Sequence, residues 1–171
     1  MKDFNNTTLL KQLAEDRESR ILALIDLDLS IAEGFKERIE QINCDIQKVH
    51  LLAVSLADVF WEEVYERQER GEKSSRIGIR VRLRGYATEI SYYKSSFTVK
   101  NEKSNFRKGS YIKKSSKYKY LEHDIAQLNA WEKELIREME KSFVYCRMMS
   151  KSLVDARRQL RRAYAQIVNF V

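Results

Sequence analysis

From Ala32 onward, apolar side chains recur in alternating steps of three and four: Ala32, Phe35, Ile39, Ile42, Ile46, Val49, Ala53, Leu56 and Phe60. Such a stripe is the a/d seam of a helix packed lengthwise against another helix. Ile21 and Ile25 continue the spacing upstream, but Asp28 interrupts it and Gly34 follows, so a kink or break is predicted between about residues 28 and 34. A second helical region is predicted from near Leu121 to the C-terminus. Its later part repeats the rhythm with Cys146, Met149, Leu153, Ala156, Leu160, Ala163, Ile167 and Phe170.

Between the seams the period changes to two. Ile77, Ile79, Val81 and Leu83 alternate with Gly78, Arg80, Arg82 and Arg84, which predicts a strand with one apolar and one basic face. Gly85-Tyr86 reads as a turn and Thr88 to Tyr93 as the returning strand. Around Phe106 to Ile112, Gly109 and the neighbouring Lys and Ser residues favour a loop over a third strand.

The expected fold class is α+β: two long helices form an antiparallel coiled-coil-like hairpin, with a small antiparallel β-sheet inserted at its tip. Residues 1–70 are the N-terminal helical region, 71–120 a basic β-rich head, and 121–171 the long C-terminal helix, in one cooperative unit. A stalk of about 35 to 40 residues would be about 55 to 60 Å long. The competing reading zips each seam to a second copy of the chain, as a homodimer. In the hairpin, Trp61 and Trp131 fall at the end next to the head, where they wedge sheet against helices.

The absence of Pro and the scarcity of Gly (5 in 171 residues) agree with long uninterrupted helices. Charge is segregated. Residues 71–120 hold 14 Lys/Arg against 3 Asp/Glu, whereas residues 1–70 hold 9 against 15. More than the whole net charge of +7 therefore sits in the head, the footprint of a polyanion-binding surface. No secretory signal opens the chain, and the most apolar run, Ile21 to Ala32, is short and interrupted by Asp26 and Asp28, so a soluble, cytoplasmic protein without membrane contact is expected.

Catalytic chemistry has little to stand on. His50 and His123 are isolated, Cys44 and Cys146 lack a second ligand cluster, and no P-loop, GxSxG or HExxH occurs, so neither enzyme activity nor a metal or other cofactor is expected. Glu132, Glu134, Glu138 and Glu140, interleaved with Lys133, Arg137 and Lys141, have the layout of a solvated helix face.

The informative cluster is Arg80-x-Arg82-x-Arg84, whose guanidiniums share one strand face at intervals of about 7 Å. With Arg76, Tyr92, Lys94, Lys100, Arg107, Lys108, Lys113, Lys114, Lys117 and Lys119 they make the candidate nucleic-acid-binding set, cations for phosphate interleaved with rings that stack or anchor. Arg157, Arg158, Arg161 and Arg162 form a possible second basic face; pairing with Asp26, Glu33, Glu37 or Glu40 across the stalk is the simpler role for them.

These residues give the chain a likeness over about residues 58–165: Phe60-Trp61 ending a helix, the Arg80-Val-Arg-Leu-Arg-Gly85 strand and turn, the Ile90-Ser-Tyr-Tyr93 return, and the Lys/Tyr-rich segment to Tyr120. Trp131-Glu-Lys-Glu-Leu-Ile136 then opens a helix that includes Glu140 and Arg147 and ends in Arg157 to Arg162. In these it resembles the MobI-type proteins of conjugative elements, accessory factors for mobilising DNA. The resemblance implies an auxiliary role at the origin of transfer beside a relaxase. Two histidines cannot supply the three-histidine metal site that a common relaxase resembles. The expected function is thus a non-catalytic DNA-binding accessory that positions DNA or recruits the relaxase. The alternative is a coiled-coil adaptor whose basic head docks an acidic protein.

Overall fold

The structure, a computed structural model, describes the backbone of residues 6–72, 75–99 and 105–168, and the side chains of those residues except 6–15, 23–29, 96–99 and 105–108. The order of elements is α1 (Asn6–Glu69), β1 (Ile77–Arg84), β2 (Ala87–Val99), β3 (Asn105–Tyr111) and α2 (Ala130–Val168). The α+β class is as the sequence predicts, a three-stranded antiparallel sheet between two long helices. No helix among the described residues is long and apolar enough to cross a membrane.

Three boundaries differ from expectation. α1 runs without a break through residues 28–34, with Gly34 in helical conformation. β3 is a strand where a loop was favoured, because seven consecutive backbone positions pair with β2 in register Tyr93↔Tyr111 to Val99↔Asn105 and the ladder overrides the weak local propensity of Lys, Ser and Gly. The second helix begins at Ala130, nine residues later than Leu121, because residues 121–129 are taken up by turns in which Asp124 N donates to Leu121 O (2.9 Å) and Leu128 N to Ile125 O (3.1 Å).

α1 ends for a local reason. Gly71, with φ +88°, takes the left-handed conformation past the last turn, its N–H donating to Gln68 O (3.1 Å) while Glu72 N donates to Arg67 O (3.1 Å). This Schellman pairing satisfies carbonyls that the helix end leaves open.

By compactness the chain divides into residues 1–42 with 157–171, and residues 43–156. In the first unit Ile39 is buried, and Ala32, Phe35 and Ile42 are half-buried. In the second, one core holds Ala53, Ala57, Phe60 and Val64 of α1, Ile77 and Ile79 of β1, Ile90 and Tyr92 of β2, and Leu135, Ile136, Phe143 and Cys146 of α2, closed by Tyr120, Ile125 and Leu128. Trp131 belongs to this core and Trp61 packs against it, so the two indoles meet one core as predicted. Cys44 is exposed and Cys146 buried, both free.

Tyr92 is the centre of the aromatic packing, 4.9 Å from Tyr120, 6.0 Å from Phe60 and 6.1 Å from Phe143 between ring centroids. Burial drives its phenol well above the ordinary range. Its hydroxyl lies near the Glu140 carboxylate but does not reach hydrogen-bond geometry with it or with any other described residue. Removing an unpaired buried polar group relieves its desolvation cost, so Tyr92→Phe is expected to leave the thermal midpoint unchanged or to raise it; a drop of several degrees in a melting scan would contradict this.

Candidate nucleic-acid interface

The alternation of β1 is realised. Ile77 and Ile79 enter the core, whereas Arg80, Arg82 and Arg84 stand exposed on the opposite, outer face of the sheet. Register decides what joins them there. Arg80 pairs with Ser91, Arg82 with Glu89 and Gly78 with Tyr93, and Tyr93 in turn pairs with Tyr111. The outer face therefore combines three arginines with Tyr93 and Tyr111. Gly78 is required for this: the Tyr93 ring lies across it, where any β-carbon would collide with the phenol.

The arginines are organised by neighbours. Arg80 Nη1 donates to Tyr111 Oη (2.6 Å), and the Arg80 and Arg82 guanidiniums lie 5.7 and 5.9 Å from the Tyr111 ring centroid. Arg82 Nη2 donates to Glu89 Oε2 (3.1 Å) and Arg84 Nη1 to Glu89 Oε1 (3.5 Å). The Glu89 carboxylate thus holds two of the three guanidiniums, and the face keeps a positive excess. The salt bridges are exposed and contribute little stability.

β3 pairs only with Tyr93–Val99, so β2 extends beyond it and residues 87–91 form a free edge on that side. Side chains close it. Thr88 N donates to Ser150 Oγ (2.9 Å), Arg147 Nε donates to Ile90 O (3.4 Å), and Tyr92 N donates to Tyr120 Oη (3.4 Å). Arg147 also donates through Nη1 to Tyr118 O (2.7 Å) and Glu140 Oε1 (2.8 Å), while Tyr120 N donates to the same Glu140 oxygen (2.7 Å). The Glu140–Arg147 pair is buried and fixes sheet, segment 112–120 and α2 together.

Segment 112–120 is held at both ends. Ile112 N donates to Tyr92 O (2.9 Å), and Asp124 Oδ2 accepts from Ser115 N (3.2 Å), Ser115 Oγ (2.9 Å) and Leu121 N (2.8 Å). Burial opposes ionisation of Asp124, but these donors together hold its carboxyl below the ordinary range. The segment presents Lys113, Lys117 and Lys119 to solvent. Lys114 is half-buried 6.0 Å from the Tyr120 centroid, its pKa lowered by burial and by the positive charge of Arg147.

Between the free edge of β2, this segment and α2 lies a groove of about 500 Å³. Arg82, Arg84, Lys114, Lys117, Arg147 and Lys151 line it, against Glu89 as the carboxylate in its wall. Lys151 is partnered by Asp155 (2.7 Å). Chemically, outer face and groove offer guanidinium and ammonium donors to phosphate-like oxyanions and phenol rings to planar groups.

The predicted site residues divide accordingly. Arg76, Arg80, Arg82, Arg84, Lys113, Lys117 and Lys119 are exposed, and Lys114 lines the groove. Tyr92 is corrected: it is fully buried, and its neighbour Tyr93 has the outward parity. Lys94, half-buried, pairs with Ile77 and so belongs to the core-facing parity of β2, away from the arginines. Lys100 lies outside the described residues, as do the side chains of Arg107 and Lys108, whose backbone is in β3. Of the second basic face, Arg158, Arg161 and Arg162 are exposed and Arg157 half-buried; Arg157 and Arg158 already have interaction partners within the protein. These four belong to the unit made of residues 1–42 and 157–171.

Sequence reasoning missed Glu89, Arg147, Ser150 and Lys151, and also the placement of Glu132 and Glu140, which are buried and not on a solvated face. The available signal was helical phase: positions 132, 136, 140, 143, 147 and 150 follow the steps of three and four that place them on one face of α2. Among the described residues, no group of three or more His, Cys, Asp or Glu could hold a metal ion.

Comparison with curated proteins and with solved structures gives no match. Comparison with protein families matches residues 49–161 to the family described as MobI protein. That span takes in the last third of α1, the sheet, the basic segment and most of α2, and by it the chain belongs to the MobI protein family.

Proposed function

We propose that this protein is a non-catalytic accessory of conjugative DNA transfer in the cytoplasm, acting at the origin of transfer, and that its basic head contacts DNA to position it for, or recruit, a relaxase. The observation that carries the reading is the outer sheet face, where Arg80, Arg82 and Arg84 project in parallel with a single carboxylate among them. Family membership supports the mobilisation context.

The test is binding of DNA from the element's own transfer origin, measured across a salt series. Replacing Arg80, Arg82 and Arg84 together by Ala is expected to weaken binding at least about tenfold and to lower the slope of log affinity against log salt by about 2 to 3, since each phosphate contact contributes about 0.7 to 0.9. The far-ultraviolet circular dichroism should be unchanged, because the three side chains lie outside the core. Absence of binding to any DNA at low salt would overturn the reading.

A second reading has its own observation. Leu51, Leu52, Val59 and Tyr65 expose apolar surface along α1, which suits a protein partner. A partner seated on this surface would stay bound in the triple arginine variant, whereas an acidic protein docked on the basic head would be lost, and a dimer would show as a doubled mass in light scattering.

A further inference from the structure

Resting on the DNA-binding reading, we propose that the head binds DNA as a single strand. The strand crosses from the outer sheet face, with a base on Tyr111, over the free edge of β2 into the groove beside α2.

The positive track is bent. Arg80, Arg82 and Arg84 leave the outer face, but Arg82 and Arg84 also line the groove, whose far wall is Lys114, Lys117 and α2. The cations therefore continue round the edge of β2 between residues 87 and 91. Duplex DNA is straight on this scale, with a persistence length of about 150 base pairs. Its phosphates cannot track one sheet face and then turn into a groove of about 500 Å³. A single strand has the torsional freedom to do so.

The aromatic chemistry agrees. Tyr111 is 48% exposed on the outer face, with two guanidiniums over its ring at 5.7 and 5.9 Å from the centroid and its hydroxyl fixed by Arg80 Nη1. A ring held in place beside cations is the element on which an unpaired base stacks, and bases within a duplex offer no free face to it. Tyr118 continues the aromatic lining within the groove, under Lys117 at 5.0 Å from its centroid.

Fluorescence anisotropy on the full-length protein decides the point, with a fluorescein-labelled mixed-sequence DNA strand and the same strand annealed to its complement. The single strand should bind about tenfold more tightly than the duplex. Tyr111→Leu should cost roughly tenfold on the single strand, the loss of one stacked base, with less than about a threefold change on the duplex. Lys117→Gln, at an exposed position that leaves the fold intact, should lower the single-strand salt slope by about 0.7. Duplex binding as tight as single-strand binding, or equal losses on both forms in Tyr111→Leu, overturns the inference while leaving the DNA-binding reading standing. Failure to bind either form overturns both.

Discussion

Glu140→Ala is expected to destabilise the protein by about 3–5 kcal/mol, because it leaves the Arg147 guanidinium buried without its counter-charge. Both side chains are enclosed by the sheet, Tyr120 and α2, and the carboxylate accepts from Tyr120 N (2.7 Å) and Arg147 Nη1 (2.8 Å). The loss is thus one charge pairing plus one backbone hydrogen bond. Urea unfolding followed by circular dichroism measures it. The paired variant Glu140→Leu with Arg147→Met should cost less than Glu140→Ala alone, since neither charge is then stranded. A loss larger than that of the single change would mean that the bonds from Arg147 to Ile90 O and Tyr118 O, and not the ion pair, hold the region together.

Glu132→Ala is expected to cost about 2–4 kcal/mol, from one helix cap and two part-buried donors. Glu132 Oε2 accepts from Asn129 N (2.9 Å), the reciprocal arm of a capping box at the start of α2. Its other oxygen accepts from Arg76 N (2.9 Å) and Ser75 Oγ (3.1 Å), tying the entry of β1 to the helix. Glu132→Gln keeps one carbonyl oxygen and should lose about 1 kcal/mol. The same urea experiment ranks the two variants. Amide exchange at Arg76 adds a local readout that should accelerate in Glu132→Ala.

These two glutamates also mark the limit of what the sequence disclosed. The strand pattern of Ile77 to Arg84, its turn, the return through Tyr93 and the two helices were legible because hydrophobic period alone specifies them. Polar residues on a buried helix face give no such sign. Glu132 and Glu140 follow the same spacing as Ile136 and Phe143, but their charge reads as solvent exposure until a partner is known, and the partners lie 56 and 20 residues away in the chain. Tyr92 failed for a smaller reason. In Tyr92-Tyr93 either ring satisfies a strand pattern, and only the register Gly78↔Tyr93 shows which one shares a face with the arginines. β3 was only weakly marked, because pairing with β2, and not its own residues, makes it a strand.

The side chains that close residues 87–91 of β2 have a consequence for the protein in a crowded cell. An unpaired strand edge is a template on which a second chain adds a strand and from which aggregates grow. Here the edge N–H of Thr88 and carbonyl of Ile90 are already occupied by Ser150 and Arg147 of a helix, which cannot propagate a ladder. The same residues that wall the groove therefore act as a guard against misassembly, and Ser150→Ala should show its effect as turbidity on heating before it shows as a lost ligand.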